Sequence, residues 1–461
     1  MKKVLIPILI LLAGFVFNSC KKLAEDNADI YKYILPPGAT VSDATPLCGS
    51  IKGVMLTGKT YTLGCDVYIN KGDTLIIQPG VTIISTNTAG IVVRGSLISL
   101  GTKDLPNTFT VAGQIKNTTP GIPLASDSAH QGFWKGIVGD TSCANMIIKW
   151  THIDFAGAAY GNVVGPAVGQ KASTSFCILF QNPNGNFILE DSWLWGGTDD
   201  CIRVSNGKIH VFRNTFEKCG GTGGDIVNVK GGTIGTMAYN FFIGTAYNGQ
   251  KASNKGQPTG APQTNIVMYN STFVNGGLQV IPGQRGSTIN FEEGAAGAFY
   301  NNVAVNCRVG FRVVNNPVAD TLHLVYGNNY QYADSLSIAN QFFTFGPVCT
   351  RPQSTDLPLP STYLPANYTY GATYDGTPVV QVLNPKFVNY PLPSTISPWS
   401  VSAIGSYNFR LQPNSPLIGK GNTTIKAYTV VPVDPVYGAS EVTPSGADLG
   451  CYQTNGRGNQ H

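Results

Sequence analysis

Between residues 60 and 112 apolar side chains alternate with polar or small ones in short runs. Tyr61 and Leu63, Val67 and Ile69, Leu75 and Ile77, and Val81 and Ile83 stand two apart, and Gly72-Asp73 and Pro79-Gly80 punctuate the runs. A period of two puts alternate side chains on one face of a strand, and Gly, Asp and Pro interrupt it, so the pattern predicts short strands joined by tight turns. Ile91-Val92-Val93, Ser96-Leu97-Ile98 and Phe109-Thr110-Val111 continue it. From about residue 140 to 315 the runs become a loose internal repeat. "IHVFRNTFEKCGG", "GTMAYNFFIGTAYNG", "NIVMYNSTFVNGG" and "AGAFYNNVAVNCRVG" align on Asn214, Asn240, Asn270 and Asn301, at separations of 26, 30 and 31 residues. Asp191 and Thr151 take the same place in two earlier, weaker members. Each unit reads as strand, polar bend, strand and glycine turn, and can bury its apolar face only against its neighbours. The period suits one turn of a three-sided coil; a propeller blade needs about 40 residues or more and four antiparallel strands. The asparagines are expected to stack as an amide ladder inside the bend.

Four signatures extend this reading. They are "VYINKGDTLIIQPGVTI", "GFWKGIVG" at 132–139, the late "NPKFVN" with "NFRLQPNSPLIGKG", and "ADLGCYQ" at 447–453. Together they resemble the pectin-lyase-like superfamily, and in particular its exported bacterial members. The resemblance implies an all-β chain folded as a right-handed three-sided parallel β-helix, here a single domain over residues 46–453. It implies no single activity, because the superfamily holds lyases, hydrolases and adhesins. Residues 316–405, rich in Pro, Thr and Tyr, break the repeat and are expected to be a loop-rich insertion packed on the coil's side. Residues 454–461 read as a disordered tail.

Composition agrees: 54 Gly, 29 Pro and only 12% charged residues favour strands and turns. The net charge of +5, or +3 without Lys2 and Lys3, makes no field for nucleic acid or an anionic membrane. The opening "MKKVLIPILILLAGFVFNSC" has a basic start, an apolar run from Val4 to Phe17, and Ser19 before Cys20. It resembles a bacterial lipoprotein signal, which implies removal of residues 1–19, a lipid on Cys20 and a polar tether over 20–45. The acidic residues in "KKLAEDNAD" resemble the surface-export signal of Bacteroidetes lipoproteins, implying an outer-membrane or cell-surface location. No other stretch approaches the roughly 20 apolar residues that span a bilayer, so the lipid is the expected membrane attachment. The remaining nine cysteines are scattered, with no CxxC or Cys/His metal spacing. Cys48 and Cys65, flanking the start of the fold, are the expected disulfide; most others are expected to be buried free thiols.

Candidate chemistry centres on "GGTDDCIRVSNG", residues 196–207, and its echo "GGTGGDIVNV", residues 220–229. Asp200 and Asp225 are 25 residues apart and should stack one rung from each other. With Ile202, Val204, Val227 and Val229 inward, Arg203 and Asn228 face out side by side, and Arg312 follows several rungs along. Stacked carboxylates suit calcium, which takes oxygen ligands; resemblance to pectate lyases would make Asp200 and Asp225 its site and Arg203 the base. Asp199-Asp200-Cys201-Ile202 is also similar to the paired Asp of polygalacturonases. Their Gly-His-Gly turn is absent from Gly220–Asp225, however, and Val313-Val314 follow Arg312 where an Arg-x-Lys would stand. Asp199, Asp200, Asp225 and Arg203 are therefore the catalytic candidates, set against a plain turn rich in residues that hydrogen-bond backbone amides. Glu292-Glu293 reads as an exposed turn, and His152 and Asp154 as a surface pair on one side of a strand. Trp134, Trp150, Trp193 and Trp195 are candidate sugar-stacking platforms. The favoured reading is a noncatalytic surface lipoprotein that binds a polysaccharide or surface glycan. The other is a calcium-dependent polysaccharide lyase, or a glycoside hydrolase, acting on a uronic-acid polymer.

Overall fold

A computed structural model of the chain describes residues 39–119, 122–221, 224–277, 288–308, 310–314, 317–332, 384–390 and 403–461. The leader, Cys20, most of the tether and most of the 316–405 stretch lie outside these residues. Among the described residues twenty-seven strands join in one continuous parallel network, wound as a three-sided β-helix. The first face runs from Gly53–Met55 through Ser96–Leu100, Asn145–Lys149 and Asn186–Glu190 to Leu324–Gly327. The second runs from the start of Thr60–Ile69 to Tyr330–Tyr332, and the third from Leu47–Ser50 to Arg312–Val313. Thr60–Ile69, Ile202–Phe212 and Val227–Ala238 turn a corner and serve two faces each. The one α-helix among the described residues, α1 at Gly161–Ala167, lies over the outer side of the third face.

Alternation explains the core. Along the second face Ile83, Phe109, Ile153, Leu194, Phe216, Phe242, Phe273 and Ala304 stand opposite one another and point inward. Phe216, Phe242 and Phe273 stack with ring centroids 4.7 Å apart and nearly parallel planes. That spacing is the rung spacing of a parallel sheet, so one repeat of the sequence delivers one ring to the pile.

Between the first and second faces, from the strand Asn145–Lys149 onward, the chain turns through a residue in the left-handed region on each rung. Trp150 (φ 45°), Asp191 (48°), Arg213 (58°), Tyr239 (57°), Asn270 (50°), Asn301 (60°) and Asn328 (52°) form this column. The residue after each points inward, and there the amide ladder forms. The Ser192 amide donates to Asn214 Oδ1 at 3.0 Å, and the Asn214 amide and Nδ2 donate to Asn240 Oδ1 at 3.0 Å. Further along, the Ser271 amide donates to Asn302 Oδ1 at 2.9 Å, and Asn302 to Asn329 Oδ1 at 3.0 Å. The expected ladder is thus corrected in membership: Asn270 and Asn301 belong to the left-handed column, Asp191 lies one residue before ladder Ser192, and Ser271 and Asn302 hold the ladder position on the rungs after Asn240. Asparagine serves both positions, because it tolerates left-handed φ and offers a buried bend its amide.

Cys48 and Cys65 are bridged, with Cα atoms 4.9 Å apart on the first rungs. Cys143, Cys177, Cys201, Cys219, Cys307 and Cys451 are free and buried. The end of the tether already pairs with the coil: the Val41 amide donates to the Val54 carbonyl at 2.9 Å. Residues 317–332 add one more rung, so the break in the repeat comes later than residue 316.

Residues 403–461 form a strap along the outside of the first face, its left-handed corner and the second face, where Phe409, Leu417, Leu449 and Tyr452 pack on the outward Phe241, Ile243, Val303 and Val305. Asn301 Nδ2 donates to the Asn422 carbonyl at 3.0 Å and Asn328 Nδ2 to Lys420 at 3.1 Å. Val431 and Ala439 cover the outward Ile76, Ile98, Ile147 and Ile188, and Lys149 Nζ donates to the Pro435 carbonyl at 2.8 Å. The strap then returns. Asn270 Nδ2 donates to the Asp448 carbonyl at 2.8 Å, and the Cys451 amide donates to Thr272 Oγ1 at 2.9 Å. It turns back once more to finish near Trp150 and Trp193. Residues 454–461, expected to be disordered, are instead part of this strap: Asn459 is buried and donates to the Asn214 carbonyl at 3.1 Å, and the His461 ring lies 5.4 Å from Trp150 and 5.6 Å from Trp193. Composition marked these residues as polar and flexible, yet the Asn459 side chain ties them to the backbone carbonyls of Asn214 and Tyr239.

Candidate functional site

Asp199 and Asp200 sit in the bend that leads into the strand Ile202–Phe212. A Cβ on Gly196 (φ 79°) would fall 2.2 Å from the Ala129 carbonyl oxygen, and one on Gly224 would fall 2.3 Å from the Asp199 carbonyl carbon. Glycines thus let neighbouring turns nest, and the motif and its echo lie one rung apart as the sequence implied. Ile202 pairs with Val227, Arg203 with Asn228 and Val204 with Val229; outward from Arg203 the column continues Asn228, Lys251, Asn290, Arg312.

This outer column is a sealed polar network. Arg203 Nε donates to Asp200 Oδ2 at 2.6 Å, and its Nη2 contacts the same oxygen. The Asp225 amide donates to Asp200 Oδ1 at 2.8 Å. Asn228 Nδ2 donates to Asp200 Oδ2 at 3.0 Å and Asp225 Oδ2 at 2.8 Å, and Asn248 Nδ2 to Asp225 Oδ1 at 2.5 Å. Lys251 Nζ bridges Asp225 Oδ2 at 3.2 Å and Glu292 Oε1 at 2.8 Å. The Phe176 ring packs 4.5 Å from the Arg203 guanidinium carbon. Burial pushes both Asp carboxyls above the usual range, against the pull of Arg203 on Asp200 and of Lys251 on Asp225. Burial works to lower Lys251, but Asp225 and Glu292 outweigh it and hold the ammonium charged.

Three expectations change here. Calcium does not fit: it requires several converging oxygen ligands, whereas these oxygens accept from guanidinium, ammonium and amide donors. Among the described residues no group of three or more His, Cys, Asp or Glu is placed to hold a metal. Arg203, bound to a carboxylate, is a charge partner and not a proton acceptor. Glu292, expected in an exposed turn, closes the strand Ile289–Glu292 and is buried. Asp199 is partly exposed and makes no side-chain hydrogen bond among the described residues.

The four tryptophans separate. Trp134 is a core residue whose Nε1 donates to the Asp154 carbonyl at 2.8 Å. Trp195 is also buried, its ring 5.6 Å from the ammonium groups of both Lys116 and Lys218. Neither offers a face to a sugar. Trp193 is half-buried, stacked on His152 at 5.6 Å, with Nε1 donating to Glu217 Oε2 at 2.9 Å. His152 and Asp154 do face the same side, but with separate partners: Asp154 pairs with Lys116 at 2.7 Å.

Trp150 is different. It is half-buried at the left-handed corner, above Asp191 and Arg213 on the next two rungs, and with them lines a cavity of about 540 Å³. The strap supplies the other walls through Ser440, Glu441, Thr443 and Arg457. Arg213 donates from Nε to Asp191 Oδ1 at 2.7 Å, from Nη2 to Asp191 Oδ2 at 2.9 Å, and from Nη1 to Thr443 Oγ1 at 2.7 Å. A planar bidentate pair is thus fixed beside an indole ring. Burial works to lower Arg213, but Asp191 and Glu190 more than offset it and keep it charged. Asp191 and Arg213 were missed as site residues; the sequence placed Asp191 and Asn214 in the repeat but could not show that a distant segment would wall the corner.

Comparison with protein-family models, with curated proteins and with solved structures gives no match for this chain.

Proposed function

We propose that the protein is a noncatalytic glycan-binding β-helix, held at the outer membrane or cell surface by a lipid on Cys20, and that the sugar enters the cavity at Trp150. The observation that carries the reading is the pairing of a half-buried indole face with a rigid fork of polar groups in a cavity of ligand size, commonly about 300–1,000 Å³. An aromatic face takes the C–H side of a sugar ring, and fixed carboxylate, guanidinium and hydroxyl groups take its hydroxyls. The ion pairing of Asp200, Asp225 and Arg203 supports the noncatalytic part, because three of the four candidates are already committed to one another or to Lys251, which leaves Asp199 without a second group to act with.

A glycan array probed with the chain lacking residues 1–19, followed by calorimetry on the best ligand, tests the reading. Trp150→Ala should weaken that ligand at least tenfold while far-UV circular dichroism stays unchanged. Absence of any binding across the array, or equal binding by the variant, would overturn the assignment. A panel of uronate polymers, with and without calcium, checks the chemistry: release of unsaturated or reducing sugars would make the protein an enzyme. Metabolic labelling with a fatty acid, lost in Cys20→Ala, tests the anchor.

A further inference from the structure

A second cavity, of about 620 Å³, lies across the turn containing Gly456, Arg457 and Gln460, residues that line both cavities. The two differ in charge. At Trp150 the carboxylates of Asp191 and Glu441 lie 2.7 Å and 3.7 Å from Arg213. The second cavity is lined by two guanidinium groups, Arg410 and Arg457, and by no carboxylate. Both arginines are exposed, and neither joins a salt bridge among the described residues. Leu411, Pro413 and Ile418 give it an apolar wall. The Arg410 guanidinium carbon stands 5.2 Å over the Tyr452 ring, which holds the group at one side of the cavity. The amides lining it are already committed: Gln453 Nε2 donates to the Asp448 and Gly450 carbonyls, both at 2.9 Å, and Gln460 Nε2 to Gly456 at 2.8 Å.

An uncompensated pair of guanidinium groups in a cavity without acids is built for an oxyanion, which each can grip with two parallel N–H donors. We propose that this cavity is the anionic subsite of a longer groove: it takes a carboxylate or sulfate carried by a sugar chain whose neighbouring ring sits at Trp150. The inference rests on the glycan reading above and gives its ligand a charge. Arg457, shared by both cavities, ties the two subsites together.

Calorimetry with three tetrasaccharides tests it: chitotetraose as the neutral probe, a hyaluronan fragment carrying carboxylates, and a chondroitin sulfate fragment carrying sulfates. The anionic probes should bind at least tenfold tighter than the neutral one, and their affinity should fall as salt rises. The tighter of the two identifies the anion. Arg410→Gln, which lines the second cavity alone, should weaken the anionic probes about tenfold and leave the neutral one unchanged, and Arg410→Lys, which keeps a charge, should recover part of the loss; Arg457→Gln, at the wall between the two cavities, should weaken the anionic probes more than the neutral one. Equal binding of neutral and anionic probes, with Trp150→Ala weakening both, overturns the anionic subsite and leaves the glycan reading standing. No binding by any probe overturns both. Unchanged thermal unfolding of the variants separates loss of charge from loss of fold.

Discussion

Replacing Asn240 with Ala would strand the Asn214 backbone amide, which donates to Asn240 inside a fully buried bend. A buried donor left without a partner costs about 1–3 kcal/mol, so Asn240→Ala should lower the free energy of unfolding by roughly 2 kcal/mol, read by chemical denaturation. Asn270, in the other column, holds the strap by donating to Asp448 and accepting from the Gly446 amide at 3.0 Å. Asn270→Ala should accelerate hydrogen exchange at residues 446–450 before it alters global stability. Asp200→Ala leaves the Arg203 guanidinium, its side chain 21% exposed, without its carboxylate. Breaking a buried pair costs about 3–5 kcal/mol, and partial exposure places this one near the lower end, about 3 kcal/mol, with sugar binding unchanged. Two histidines set a pH response. Burial holds both His152 and His461 down to about 4; the cations Lys116 and Lys103 add to this, and a backbone hydrogen bond at Asp191 opposes it for His461. Because the folded values lie below the ordinary one near 6.5, the unfolded chain binds more protons between the two, and stability falls as pH drops from about 6.5 to 4. Tryptophan fluorescence should report undocking of the last residues across that window, and His461→Gln should flatten the change.

At the level of the rung, Phe242 lies between Phe216 and Phe273, so Phe242→Ala should cost about 3–5 kcal/mol by opening a gap in the pile. That pile was legible in the sequence because an inward strand position must be apolar and recurs once per turn. The same logic placed Arg203 beside Asn228, since a residue between two inward aliphatic side chains, Ile202 and Val204 or Val227 and Val229, has one side left to face. The asparagine register was harder to read: Asn301-Asn302 occupies both the left-handed and the ladder position, and only the hydrogen bonds tell them apart. The strap was not legible, and the reason is physical. Lys149, Tyr239, Tyr269, Asn270 and Asn328 reach the carbonyls of Pro435, Pro444, Thr443, Asp448 and Lys420. Every residue has a carbonyl, so this mode of docking leaves no signature in side-chain pattern.

Over the whole molecule, the outer side of a β-helix face is expected to be polar, but here Ile76, Ile98, Ile147 and Ile188 form an apolar stripe that the strap covers. Each such side chain contributes about 1.5–3 kcal/mol when covered. Removal of residues 403–461 should therefore yield a chain that aggregates, read by light scattering after expression, whereas removal of 454–461 alone should leave a soluble coil with the Trp150 cavity opened and sugar affinity lost. The cavity's walls also come from widely separated times of synthesis. Trp150, Asp191 and Arg213 emerge early, but Glu441, Thr443 and Arg457 arrive only after the last rung, and the strap must first pass Asn301 and Asn328 before it can turn back to meet them. A chain that has stalled, lost a rung or coiled out of register has no way to complete that wall. On the proposed reading, ligand capture would then act as a proofreading step: a copy able to hold the sugar would, by doing so, certify that the whole coil was finished.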